Sequence, residues 1–109
     1  MQSRFLSNMG NPTMLELRHS CEGCGKTLPA NAPDAMICSY ECTFCEVCAM
    51  TLLRNVCPNC GGNFKLRPIR PKAMLATHPA SEDRHDIHID EASHARYFER
   101  YRSTPPGER

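Results

Sequence analysis

The sequence predicts a small metal-stabilised α+β domain followed by a largely extended tail that carries one short helix. Three observations predict it. All eight cysteines of the 109-residue chain fall between Cys21 and Cys60. They come in close pairs, three of them of the C-x2-C form. Large apolar side chains are scarce, with no Trp, four Phe and three Tyr against nine Pro. A window of about 40 residues does not bury enough apolar surface to fold without disulfides or metal. Something covalent or coordinate must therefore hold residues 21–60 together.

Along the chain, residues 1–13 are polar and broken by Gly10, Asn11 and Pro12, which predicts a disordered extension and makes Met14 a candidate start. The domain is expected over residues 14–66. Leu15 and Leu17 alternate with Glu16 and Arg18, a short strand leading to the first cysteine pair. Gly25 follows Cys24, where the chain leaves a metal knuckle through a positive φ. After a Pro-punctuated loop over residues 28–34, Ala35-Met36-Ile37 reads as a strand delivering Cys38. From Cys45 to Val56 there is no Gly or Pro, and Val47, Met50 and Leu53 recur at helical spacing, so a helix is expected there. Val47, Leu52, Leu53, Ile37 and Phe44 are the expected core. Phe64 and Leu66 suggest a last strand after Gly61-Gly62.

Residues 67–89 are expected to be a Pro-rich basic exit and linker. Lys65, Arg67, Arg70 and Lys72, spaced by Pro68 and Pro71, read as a solvated, extended basic stretch. A short amphipathic helix is expected within residues 90–102, with Asp90 as N-cap and Ala95, Phe98 and Tyr101 on one side. Residues 103–109 are expected to be disordered. With so few apolar groups in the tail, the helix over residues 91–102 persists only by docking, and a partner is the favoured surface.

The cysteines are arranged C-x2-C-x13-C-x3-C-x2-C-x2-C-x8-C-x2-C. Two residues between thiolates let one turn direct both sulfurs at one ion. Four pairs divide into two four-cysteine sites with none left over, which matches two closed structural Zn2+ ions per chain. A disulfide framework would also use an even count, but the N-terminus carries no apolar run of the secretory kind. Iron in place of zinc is a further, less favoured reading. No stretch approaches the roughly 20 apolar residues of a membrane span. The expected setting is soluble and cytoplasmic, where thiols stay reduced. Spacing alone leaves the pairing open: sequential pairs would join 21/24 with 38/42, and interleaved pairs would join 21/24 with 45/48.

The order of all eight cysteines, with Phe44 before Cys45 and Pro58 after Cys57, resembles the cross-brace of RING-type (treble-clef) zinc domains. The stretch from Met14 through Cys57-Pro58-Asn59-Cys60-Gly61-Gly62 is similar also to a group of small bacterial cysteine-rich proteins of unknown function. The RING resemblance implies interleaved sites: Cys21, Cys24, Cys45 and Cys48 at the first, and Cys38, Cys42, Cys57 and Cys60 at the second. It implies short β-hairpins, one helix and an adaptor role.

The formal net charge is +1, and residues 1–60 hold four Lys/Arg against five Asp/Glu. Ionising eight thiols on two divalent ions makes the zinc module acidic, unlike a nucleic-acid footprint. The group Lys65–Lys72 remains a weak nucleic-acid candidate. His85 and His88 have a metal-compatible spacing but read as a solvated pair, and His19 has no vacancy to fill at the cysteine sites. Catalytic zinc keeps an open position, whereas four thiolates close a site. With no hydrolase triad, phosphate loop or H-E-x-x-H, the chain is expected not to be an enzyme.

The expected function is a non-catalytic zinc module that binds an unidentified protein, with residues 91–102 also offering a route to self-association and no membrane role. A ubiquitin-ligase-type RING is disfavoured by Glu22 after the first ligand, by the lack of an aromatic in residues 49–56, and by Gly61 after the last ligand. Two further functions compete with it: a nucleic-acid-binding zinc protein, and a thiol-based redox or metal sensor.

Overall fold

The computed structural model describes residues 17–82 and 87–109. The expected N-terminal extension 1–13, the start of the strand at Leu15 and the histidine at position 85 lie outside the described residues. Three short strands form the frame: β1 (Ala35–Ile37), β2 (Thr43–Cys45) and β3 (Lys65–Leu66). They make an antiparallel sheet in the order β2-β1-β3, with Met36 opposite both Phe44 and Leu66. Strands of two or three residues are too short to be stable by themselves. Here each begins or ends beside a cysteine cluster or a buried ring, so position along the chain rather than β-propensity selects them. The strand expected at residues 35–37 is present. Phe64 lies just before β3 and turns inward, meeting Phe44 edge-on with ring centroids 5.4 Å apart. Such a pair adds about 0.5–1.5 kcal/mol beyond the area it buries.

The helix expected from Cys45 to Val56 is shorter and wider than its pattern suggests. Cys45 stays in β2, helical backbone starts at Glu46, and Cys48–Leu52 forms a π-helical turn. Leu53 N–H donates to the Cys48 carbonyl at 2.9 Å, and Asn55 N–H to the Ala49 carbonyl at 2.8 Å. Arg54 and Asn55 then take left-handed backbone (φ 53° and 62°), which ends the helix. The wide turn presents Cys48, Ala49 and Leu53 to the interior. Val47 and Leu52, expected in the core, are instead 68% and 59% exposed. The inner face of so short a segment is filled by Cys48, Ala49 and Leu53, leaving no room there for a second row.

The tail does not leave the domain. Arg67, read from sequence as part of a solvated basic exit, is 3% exposed. Its guanidinium donates to the carbonyls of Arg18 and Pro29 at 2.8 Å, and to that of Leu28 at 3.4 Å. Burial, together with Arg70 nearby, lowers its pKa. The backbone of Arg70 reaches Ala30, and its side chain donates to the His78 carbonyl. Beyond a 3-10 turn at Lys72–Met74, Ser81 N–H donates to the Leu17 carbonyl at 2.7 Å. Residues 67–82 thus strap the first part of the module. Proline suits such a strap because it fixes φ and needs no hydrogen-bond acceptor.

The C-terminal helix α1 (Glu91–Tyr101) starts where expected, with Asp90 accepting Ser93 N–H at 3.0 Å. Arg102 is its C-cap. Among the described residues no helix is long and apolar enough to cross a membrane. The expectation that α1 waits for a partner is corrected by its contacts within the chain. His94 Nε2 lies 2.8 Å from the Leu53 carbonyl, and Tyr97 and Tyr101 lie on Gly61. Arg109, placed in a disordered terminus from sequence, donates to the carbonyls of Asn55 and Gly61 at 3.1 Å. Gly61 has φ +80°, and a Cβ there would meet Tyr97 Cδ1 at 2.7 Å. Both its backbone and its bare surface therefore require glycine. The docking surface is made of backbone carbonyls and a missing Cβ rather than apolar side chains, which is why hydropathy gave no sign of it.

Candidate metal centres

Two clusters of thiols form around the β1–β2 hairpin. At the first, the knuckle at residues 21–24 faces the junction of β2 and the helical turn. The sulfurs of Cys21, Cys24, Cys45 and Cys48 all lie within 4.8 Å of one another, and Cys24 Sγ is 3.8 Å from Cys45 Sγ. Gly25, at φ +81°, closes the knuckle with its N–H on the Cys21 carbonyl. The N–H groups of Gly23 and Cys24 point at Cys21 Sγ, 3.3 and 3.4 Å away. Burial opposes ionisation of Cys21, but backbone hydrogen bonds from Cys45, Cys24 and Gly23 outweigh it and lower its pKa. Cys45 and Cys48 are pushed up, first by burial. Three thiols of this cluster are buried and Cys24 is exposed.

At the second cluster, Cys38 follows β1 while Cys57 and Cys60 form a knuckle closed by Gly61 N–H on the Cys57 carbonyl. Cys38, Cys57 and Cys60 have sulfurs within 4.8 Å of one another. Cys42 is not mutually close to all three, but it hydrogen-bonds both Cys38 and Cys57. Asn59 Nδ2 donates to Cys42 Sγ at 3.4 Å. Backbone N–H groups of Tyr40, Asn59 and Gly62 point at Cys38, Cys57 and Cys60 respectively, at 3.3–3.4 Å. Hydrogen bonds from Cys42 and Cys57 pull the Cys38 pKa down to about 4. Cys38 beside them raises the pKa of Cys57, and raises that of Cys42 against an opposing contribution from Cys57.

This conflict indicates what the clusters can do. Several crowded thiols cannot all ionise beside one another without a compensating positive charge. A divalent cation supplies that charge, and the N–H donors aimed at the sulfurs suit thiolate ligands. The clusters, of four and of three mutually close cysteines, could each hold a metal ion. Their members interleave along the chain: the first set takes the first and third knuckles, the second the remainder. His19 is elsewhere, its Nδ1 2.8 Å from the Ser81 carbonyl. His88 is exposed.

Sequence reasoning missed two supporting groups. Glu22, noted from sequence only as a departure from the ligase pattern, is buried and accepts Thr43 N–H at 2.7 Å together with the Arg18 guanidinium. Its own N–H reaches the Thr43 carbonyl, so one residue fastens the first knuckle to β2. Asn59 is the other; an amide between two knuckle cysteines was the available signal.

The family described as Protein of unknown function (DUF1272) matches residues 14–70, which contain all eight cysteines. An uncharacterized protein of Rhizobium meliloti is 55% identical over 71 residues, covering 65% of this chain and 84% of that protein. No solved structure gives a significant match. The interleaved cysteine clusters thus lie within the matched segment, and the chain belongs to the DUF1272 family.

Proposed function

We propose that the chain is a non-catalytic zinc module of RING-like, cross-braced form whose role is to bind another protein. The observation that carries this reading is the pair of interleaved all-thiol clusters. Thiolate-only donor sets suit zinc, and four thiolates leave no open position for a substrate or an activated water. Cys42, hydrogen-bonded to Cys38 and Cys57, is the fourth ligand of the second ion. The zinc module provides rigidity, and the strap and α1 enlarge its surface.

The burial of Glu22 supports setting the ubiquitin-ligase reading aside. The position after the first ligand is committed to Thr43 and Arg18, rather than offering an apolar contact. The burial of Arg67 weakens the nucleic-acid reading of Lys65–Lys72, since one of its cations does not face solvent.

Native mass spectrometry of the chain tests the metal half. Two zinc ions per chain are expected, and one ion, or iron, would overturn it. Affinity capture from the parent cell's extract, with and without nuclease, tests the other half. Capture of a defined protein that survives nuclease is expected, and capture only of nucleic acid would overturn the reading.

A further inference from the structure

Arginines gather where α1 meets the end of the π-helical turn. Arg54 and Arg102 both approach the Phe98 ring, each with Cζ 5.4 Å from its centroid. Arg100 stands 5.4 Å from the centroid of Tyr101, and Arg96 donates to Ser93 Oγ one turn back. All four are exposed. The ion pairs among the described residues are Arg18–Glu22 and Lys26–Asp34, so these four cations have no carboxylate partner there. Glu99 lies among them in sequence without pairing. Two like charges drawn to one ring repel each other, and an anion between them would relieve that repulsion. An aromatic ring also orients a guanidinium, leaving its N–H edges free for the two oxygens of a carboxylate.

A second feature adjoins the first. In the helical turn just before Arg54, Val47, Met50 and Leu52 are exposed, although residues of their kind usually fill a core. Exposed apolar side chains thus stand in the turn that leads directly to Arg54, the arginine that meets Phe98.

We propose that this surface binds an acidic, amphipathic segment of a partner protein. The segment's apolar side chains would cover Leu52, and its carboxylates would pair with Arg54, Arg100 and Arg102. The proposal rests on the protein-binding reading above and specifies its partner. A nucleic acid fits less well. It would leave the apolar row uncovered, and the rings nearby already have neighbours: Phe98 has His94, Arg54 and Arg102, while Tyr101 has Tyr97 and Arg100. Single-strand binding relies on aromatic faces open to bases.

Fluorescence anisotropy on the full, metal-loaded chain tests this with three labelled probes. These are a short peptide with Leu at helical spacing and Glu elsewhere, a polyglutamate of equal length, and an oligouridylate. The Leu/Glu peptide is expected to bind most tightly. Arg54→Gln with Arg102→Gln should weaken it about tenfold, and Leu52→Ser several-fold, with metal content unchanged. Lys65→Gln, which removes one exposed charge at the sheet edge, should leave binding within about twofold. Should the double variant disturb α1, Arg100→Gln carries the same expectation in weaker form. The proposal falls if Lys65→Gln weakens binding as much as the arginine variants. It falls also if oligouridylate binds as well as the peptide with Leu52→Ser indifferent, or if no probe binds. If the double variant captures the same extract proteins as the unaltered chain, this surface is wrong and the protein-binding reading stands. If neither captures any, that reading fails as well.

Discussion

The two cysteine clusters are built from the same parts and differ in how they are closed. Both use a C-x2-C knuckle with a positive-φ glycine after it, and both take their remaining thiols from the β1–β2 hairpin or its continuation. The first gathers four mutually close sulfurs but leaves Cys24 exposed, and its lid is aliphatic: Ile87 lies on Gly25 and Ile89 on Gly23. The second buries Cys38, Cys42 and Cys57 and is covered by Tyr97 and Tyr101 on Gly61. Flexible aliphatic ends can shift by tenths of an ångström, whereas two stacked rings anchored on a helix cannot. The first cluster is therefore expected to be the more open to exchange, and the second to act as the anchor.

The largest expected effect comes from removing metal altogether. Chelation should unfold residues 17–66, since structural zinc contributes roughly 10–16 kcal/mol of apparent binding energy in small domains. Circular dichroism and amide exchange would show it, and retention of the sheet after chelation would mean that apolar packing suffices. With a limiting weak chelator, the first cluster should empty before the second. Cysteine resonances would report the order, and simultaneous loss would erase the distinction between the two centres.

Next in size is Arg67→Met. It leaves carbonyls of Arg18, Leu28 and Pro29 without their buried donor, at an expected cost of about 2–4 kcal/mol in urea unfolding of the metal-loaded chain. A cost below about 0.5 kcal/mol would show that the strap contributes little.

The glycines compare the lids directly. Gly61→Ala should cost about 1–3 kcal/mol and speed amide exchange across α1, because strain and the rings of Tyr97 and Tyr101 oppose the methyl together. Gly23→Ala meets Ile89 Cδ1 at 3.1 Å and Cys48 Sγ at 3.3 Å without a positive φ to strain it, and should cost less. The reverse order would remove the contrast between the lids.

The smallest effect concerns Asp90. Its hydrogen bond from Ser93 N–H lowers its pKa below the usual 3.8. A depressed carboxylate pKa means that the cap stabilises the fold above the unfolded value, and the contribution is lost as pH falls through the folded one. Asp90→Asn should keep the cap and flatten that part of the pH profile, while Asp90→Ala should fray the start of α1. Exchange rates at residues 91–94 would measure both.

What sequence made legible here is local. Cysteine spacing predicted the knuckles, the turn at Gly25 followed from the need to leave one, and Asp90 was recognisable as a cap. Interactions that depend on backbone groups distant in sequence were not legible. Arg67 finds its acceptors at Arg18, Leu28 and Pro29, and no periodicity predicts a cation that replaces a core side chain. Val47 and Leu52 match a helical core pattern, yet both are exposed, one just before the π turn and one at its end. The seat for α1 consists of a glycine surface and main-chain oxygens, groups to which hydropathy assigns no weight.

The register of the β1–β2 hairpin has a consequence for how the chain is made. Synthesis releases six thiols, from Cys21 to Cys48, before the last pair emerges. Six thiols can capture an ion in several four-membered sets, and a set joining Cys38 and Cys42 to the first knuckle would leave Cys45 and Cys48 waiting for Cys57 and Cys60. The hairpin sets against this outcome. Pairing Ala35 with Cys45 and Ile37 with Thr43 holds Cys38 and Cys42 at the turn end and Cys45 at the other. Three residue pairs thus hold the ligands of the two clusters apart, and the register of the hairpin works against the mispaired set that the order of emergence would allow.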